Sequence, residues 1–377
     1  MSAYPIESYR QLFPYLSTGT KYFNHAAVSP FSTRVLEAIQ QYLEMKGRTN
    51  IEPFEEVMAT VASLKGRIAR LLNCSPARIA LLDNTSNGLN IVANGLRWRT
   101  GDRVLLTDME FPANVYPFMN LKRLGVEVDF VPNRNGKILV EDVEKALTPR
   151  TRLFSISHVQ FLHGFRADLA ALGEVCHRRD VVFSVDAIQS AGTTPIDVDV
   201  MKIDFLAAGG QKWLMGPEGI AFVYVSEPLQ AKVGQAYMGW MNIKNFFSDF
   251  FRYRMDLEDD ARRYENGTPN FAGIYGLHAS LGLLLEAGIP QIASHLADLT
   301  RFTTDRVRER GGELVSPLAA AERGGIVTFR PPDAKAMFEK LNANKIHVSI
   351  REDCIRFSPH FYNTRQELEE ALAIALA

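Results

Sequence analysis

Cysteine is scarce in this chain: 377 residues hold three, Cys74, Cys176 and Cys354, scattered and without a CxxC pair. That argues against a disulfide framework and a cysteine zinc site, and fits a reducing cytoplasm. Excess charge of either sign is missing too, with 42 Lys and Arg against 43 Asp and Glu. A nucleic-acid-binding or anionic-membrane protein carries a basic face, so neither partner is expected, although a local basic pocket for a small anion is still allowed. The longest apolar stretches are far shorter than a membrane span. The segment MSAYPIESYRQLFPYL has neither the basic start nor the apolar centre of a secretory signal. No internal repeat or low-complexity segment occurs. GxxxxGK[ST], GxGxxG, HExxH and GxSxG are all lacking, no Ser-His-Asp arrangement stands out, and His158 and His163 do not make a metal site.

What is present is an alternation of short apolar runs with amphipathic stretches between about residues 78 and 225. Strands are predicted at 79–82, 103–107, 127–131, 153–157, 181–185, 205–208 and 220–225, and helices at 87–98, 114–124, 140–147 and 169–178. Consecutive apolar positions in the strands indicate a mostly parallel sheet covered on both faces, an α/β architecture. In such folds ligands bind at the carboxyl ends of the strands. Residues 231–264 are rich in aromatics (Tyr237, Trp240, Phe246, Phe247, Phe250, Phe251, Tyr253). A long helix is expected from Ile274 to about Ala287, ended by Gly288 and Pro290. Residues 289–377 alternate helix and strand and read as a smaller α+β domain.

Asp186 and Lys212 form the most informative pair. Asp186 ends the run Val181-Val182-Phe183-Ser184-Val185, and Lys212 follows the next apolar run among Gly209, Gly210, Trp213 and Gly216. An aspartate at the end of a buried strand and a lysine on the next loop suit pyridoxal phosphate (PLP): the amine bonds the cofactor, and the carboxylate keeps the ring nitrogen protonated so that the ring draws electrons. Singly, Asp186 reads as a helix cap and Lys212 as a surface lysine. Gln189 lies one turn past Asp186 on an expected helix, placed to donate to a ring substituent. Upstream, Asn84-Thr85-Ser86-Asn87-Gly88 joins a strand to a helix; Thr85, Ser86 and Asn87 each suit an N-cap, whose free N–H groups either receive a phosphate or belong to an ordinary capped helix. Phe111, at a strand exit, either stacks on a flat ring or packs in the core. Arg356 sits inside an apolar strand and needs a partner, which is a substrate carboxylate or a structural Asp or Glu. The turn Tyr264–Asn270 is a plain loop or touches a phosphate. His25 lies on an early turn near the pocket, where a structural role is the alternative.

Taken in order, TSNG, EFPAN, SHV, DAIQ, GGQKW…GPEG, NGTPN and IRFSPHFYNT resemble the class V aminotransferase family of fold type I PLP enzymes, the branch with cysteine desulfurases and selenocysteine lyases. The resemblance runs from Tyr22 to Thr364. It implies a large domain over residues 21–288 with a mostly parallel seven-stranded sheet, a small α+β domain over 289–377, and an arm, 1–20, packed on the small domain. It implies that Lys212 bonds PLP, Asp186 pairs with the ring nitrogen, Gln189 touches the ring oxygen, and Thr85, Ser86 and Asn87 hold the phosphate. Phe111 and Gln211 flank the cofactor. Thr268 reaches the phosphate of a neighbouring subunit, which makes a homodimer with shared active sites. Arg356, with Asn24 and His25, holds the amino acid substrate.

Some positions depart from the desulfurase pattern. Only Glu352, Asp353, Cys354 and Ile355 separate Arg351 from Arg356, where desulfurases carry a mobile cysteine loop. Cys354 is therefore expected on a strand, poorly placed to form a persulfide. Gln211 replaces a histidine, Gly209 a serine, and Phe161 an asparagine. The expected function is a PLP enzyme acting at the α-carbon of an amino acid. An aminotransferase comes first and a β-lyase second, with a racemase or a non-catalytic PLP-binding protein as further alternatives.

Overall fold

The computed structural model describes residues 5–248 and 251–376; Phe250 and the first four residues of the expected arm lie outside the described residues. A seven-stranded sheet is built from β1 (Ile79–Leu82), β2 (Arg103–Thr107), β3 (Glu127–Val131), β4 (Thr151–Ser157), β5 (Val182–Asp186), β6 (Phe205–Gly209) and β7 (Ala221–Val225), in the order β1-β7-β6-β5-β4-β2-β3. Only β7 runs against its neighbours β1 and β6; the other pairings are parallel.

The sheet is covered on both sides, which explains the consecutive apolar residues of its central strands. Phe222 and Tyr224 of β7 bury into the cluster containing the helices Phe54–Leu72 and Phe271–Ala287, while Val223 and Val225 bury into the cluster under the helix Thr85–Gly95. That last helix lies close to the sheet at Gly88, where a Cβ would come 2.8 Å from a Val223 methyl. The close approach carries the helix N-terminus to the carboxyl ends of the strands.

Residues beyond the long helix form a four-stranded antiparallel sheet, Ser349–Arg351, Cys354–Phe357, Val327–Arg330 and Glu313–Leu314 in that order, with helices Ile289–Glu309, Ala334–Ala343 and Arg365–Ala375. Gly288 ends one helix as expected, but the next begins at once with Pro290 in its first turn, where proline's missing N–H costs nothing. The chain start is tied to this part of the molecule. Arg10 bonds Glu367 at 2.9 Å, Phe13 stacks on Tyr362 at 4.1 Å, and Lys21–Tyr22 pairs in parallel with Ile346–His347. No single helix among the described residues is long and apolar enough to cross a membrane.

Two expected helices take another form. The stretch 114–124 breaks into a single α-turn, Tyr116–Met119, flanked by 3₁₀ turns, with Pro117 near the start of that α-turn, where a helix start tolerates it. After Asp186 no helix forms. The chain runs through tight turns to Gly192, whose φ of +93° cannot continue a right-handed helix.

Candidate active site

Asp186 occupies the carboxyl end of β5 and is 2 % exposed. One carboxylate oxygen accepts the Ile188 N–H at 2.9 Å, and among the described residues the other accepts nothing. Burial pushes its pKa up from 3.8 to about 6; the Ile188 N–H and the Lys212 ammonium oppose that rise and Glu110 adds to it. A buried carboxylate in that state gains stability from a cationic group placed against it.

Lys212 lies on the loop after β6, held from several sides. Ser29 donates through its N–H to the Gln211 carbonyl at 2.9 Å and through its hydroxyl to the Lys212 carbonyl at 2.6 Å. His360 bonds the Trp213 carbonyl at 2.9 Å, and the buried Trp213 indole donates to Gln189 at 2.7 Å. Among the described residues the Lys212 amine has no hydrogen-bonded partner, and it points over the Phe111 ring, 5.5 Å from its centroid. Burial lowers its pKa from 10.5 to about 8, with Asp186 opposing the shift and Arg356 and Arg351 adding to it.

Arg356 is 2 % exposed within the strand Cys354–Phe357. Its Nε donates to Ser349 Oγ at 3.1 Å across the strand pair, and Nη1 donates to the Phe161 carbonyl at 2.6 Å. Among the described residues no Asp or Glu pairs with it, so the structural ion pair that the sequence allowed is not formed. Burial, with Arg351 nearby, lowers its pKa from 12.5 to about 10. A guanidinium in this condition recruits an anion.

The remaining expected residues divide. The helix cap is Asn84, whose side chain accepts the Asn87 N–H at 2.8 Å, in place of Thr85, Ser86 or Asn87. Thr85 is instead the first helical residue, and its buried hydroxyl has no partner among the described residues. It lies beside Gly209 and Gln211: a Cβ built on Gly209 would meet the Thr85 hydroxyl at 3.2 Å and the Gln211 amide oxygen at 2.5 Å. Ser86 is exposed in the first turn of that helix. Asn87 turns away, its amide bonding the Asp83 carboxylate at 2.7 Å, so its side chain is not free for a phosphate.

Gln189 sits on a turn instead of a helix, with its oxygen taken by Trp213 and one N–H by the Ala26 carbonyl at 3.0 Å; its second N–H is available. His25 does not present a free nitrogen to a substrate, because Nδ1 bonds the Ser358 carbonyl and Nε2 the Tyr362 hydroxyl, each at 2.8 Å. Burial lowers its pKa well below 6.5 and keeps it neutral. Asn24 keeps a buried side-chain oxygen without a partner among the described residues. Thr268 is exposed in a separate cleft of about 400 Å³ with Asp83, Asn87 and Tyr237, and neither Lys212 nor Asp186 lines it.

Sequence reasoning passed over Glu110, although it stood in the quoted EFPAN. Its buried carboxylate accepts from Thr107 Oγ1 at 2.8 Å, Asn114 Nδ2 at 2.9 Å, Gln160 Nε2 at 2.7 Å, and Ser157 through both N–H and hydroxyl. It therefore ties the exit of β2 to that of β4 and fixes the Phe111 turn. A charged residue directly at a strand exit was the available signal. Cys354 is buried on its strand as expected, and burial raises its thiol pKa. The preceding turn is only Glu352-Asp353, both left-handed at φ 45° and 57°, a two-residue hairpin with no room for a cysteine loop.

An electron-withdrawing aldehyde cofactor with a phosphate fits these residues. Among the described residues, the Thr85 hydroxyl, free of partners at the helix N-terminus, suits the phosphate, the second Asp186 oxygen a protonated ring nitrogen, and the unpartnered Lys212 amine the aldehyde. Fold and site thus define a PLP enzyme of fold type I. The chain belongs to the class V aminotransferase family: the family signature, Aminotransferase class-V, matches residues 21–371.

Among its relatives, "Uncharacterized aminotransferase YcbU" of Bacillus subtilis is 32% identical over 372 residues, covering 97% of this chain and 96% of the relative. A "Probable cysteine desulfurase" of Methanothermobacter thermautotrophicus is 31% identical, covering 92% of each. In structure, the chain superposes on the apo cysteine desulfurase of Thermococcus onnurineus NA1 with TM-score 0.90 at 25% identity, covering 99% of this chain and 98% of that one. It also superposes on the cystine C–S lyase C-DES, solved with its product cysteine persulfide, with TM-score 0.89 at 27% identity, covering 97% and 99%. A C-DES variant is solved with glycine covalently linked to PLP.

Proposed function

We propose that this PLP enzyme takes the α-proton of an amino acid with Lys212 and runs transamination as its main reaction. The observation that carries the reading is Arg356, a buried cation with no carboxylate partner among the described residues, in the site that also holds Lys212. PLP, when bound, supplies the electron sink that makes an amino acid α-proton removable. The N–H groups of Arg356 not used by Ser349 and Phe161 grip the substrate carboxylate and orient its α-carbon. Asp186 holds a proton on the ring nitrogen, while Thr85, Ser86 and the second Gln189 N–H bind the cofactor's oxygens. Lys212, with its pKa lowered to about 8, has a sizeable neutral fraction near that pH and serves as base and then as acid.

We further propose a homodimer in which Thr268 serves the neighbouring subunit; its exposure, in a cleft apart from Lys212, supports this. Three free cysteines suit a cytoplasmic location.

β-Elimination is the second reading, favoured by the likeness to a cystine C–S lyase and by the two-residue turn where a desulfurase loop is expected. Incubating the PLP-loaded protein with a panel of amino acids separates the two. Pyridoxamine phosphate plus keto acid marks transamination; pyruvate with sulfide or persulfide and retained PLP marks elimination. Protein that acquires no borohydride-reducible visible absorbance from PLP would sink both readings.

A further inference from the structure

Two phenylalanine residues connect the group read as the carboxylate grip to the group read as the base. Nη1 of Arg356 donates to the Phe161 carbonyl at 2.6 Å, which places residue 161 directly beside the guanidinium. The Phe161 ring meets the Phe111 ring edge-on, with centroids 5.2 Å apart and planes at 75°. The Phe111 ring in turn lies 5.5 Å from Lys212 Nζ. The contacts thus run from Arg356 to the Phe161 backbone carbonyl, and from the Phe161 ring through the Phe111 ring to Lys212, with a phenylalanine side chain at both bridging positions.

Both rings are held from behind. Glu110 anchors the Phe111 turn and takes the Gln160 amide at 2.7 Å, one residue before Phe161, while Thr328 Oγ1 bonds the Leu162 carbonyl one residue after it. Phe111 is 42% exposed despite this anchoring, so its ring has surface left for a bound molecule.

We propose that Phe111 and Phe161 form an apolar wall that selects amino acids with aromatic, aliphatic or thioether side chains over those with charged side chains. The inference rests on the reading of Lys212 and Arg356 given above. A molecule gripped by Arg356 and reacting at Lys212 lies against the segment that carries these rings. An apolar side chain covers them and removes their surface from water. A charged side chain placed there loses hydration without gaining a hydrogen bond. Arg351, exposed on the hairpin with Nη1 on the preceding Ile350 carbonyl, is a nearby cation that would favour an acidic side chain instead.

The test is titration of the PLP-loaded protein with Leu, Met, Phe, Asp, Glu and Lys, read as the change in cofactor absorbance and as product formed. The expected result is a preference for Leu, Met and Phe of roughly tenfold to a hundredfold in apparent affinity. Phe161→Asn and, separately, Phe111→His should each narrow the Phe-to-Asp ratio by about tenfold or more. Equal affinities, a preference for Asp or Glu, or an undiminished ratio in both variants overturns the wall. A protein that never acquires the cofactor's absorbance contradicts the functional reading and this selectivity with it; one that acquires it and reacts without selectivity contradicts this inference alone.

Discussion

Replacing Arg356 with leucine separates a residue kept for binding from one kept for folding. The side chain is 2 % exposed, and its pKa falls from 12.5 to about 10 because water is stripped from it. That depression corresponds to about 3 kcal/mol of cost borne by the folded protein at neutral pH. Against it stand the hydrogen bonds to Ser349 and Phe161, worth together about 2 kcal/mol, and the cost of leaving those acceptors unpaired, about 1 kcal/mol each at the least. The two sides nearly cancel, so Arg356→Leu should change unfolding free energy by less than about 2 kcal/mol. Substrate binding should behave differently. Losing a charge-assisted carboxylate grip costs about 3–4 kcal/mol, which is roughly a 10²- to 10³-fold rise in apparent Kd. Denaturant unfolding of the apoprotein gives the first quantity, and amino acid titration of the PLP-loaded protein the second. Severe unfolding with unchanged affinity would refute the reasoning and make Arg356 a structural residue.

Other outcomes follow from single groups. Asp186 has a raised folded pKa, so the folded apoprotein binds its proton more tightly than the unfolded chain does, and stability falls as pH rises from about 4 to about 6. Apo Asp186→Asn should therefore be more stable than the unsubstituted apoprotein at pH 7, by up to about 3 kcal/mol, with the gap closing below pH 4 in denaturant titrations, while its PLP affinity drops. The Lys65–Glu265 pair, at 2.7 Å with Lys65 buried and Glu265 at the edge of the cleft, links the helix Phe54–Leu72 to β1, whose Leu81 N–H also bonds Glu265. Lys65→Met alone should cost about 1–3 kcal/mol by leaving Glu265 only the Leu81 N–H and the cleft, and adding Glu265→Gln should recover part of it. Cys354→Ala should leave turnover within about twofold, since the thiol is buried and held protonated. A tenfold loss in the same assay would contradict the placement of Cys354 outside the chemistry.

The sheet was legible because its central strands are apolar on both faces, a pattern that parallel burial imposes; observed strand ends fall within two residues of the expected ones. The Asp186–Lys212 pair was legible for a related reason, since each follows directly from a strand end. What could not be read depends on contacts far apart in sequence. His25 is tied up by Ser358 and Tyr362, and Ser29 clamps a loop more than 180 residues away. The helix expected after Asp186 fails at Gly192, whose left-handed backbone a periodicity argument does not see. Asn84 takes the cap because it is the last extended residue, a distinction of one position among four adequate cappers. Arg356 was left between two partners by sequence, and only the packed strand showed that no carboxylate reaches it among the described residues.

The most direct test of the central claim is borohydride reduction of the protein after PLP loading, followed by peptide mapping. The account predicts one phosphopyridoxyl group per chain, on Lys212, and none on Lys212→Ala protein. Modification spread over surface lysines, or a principal label on any other lysine, would contradict it.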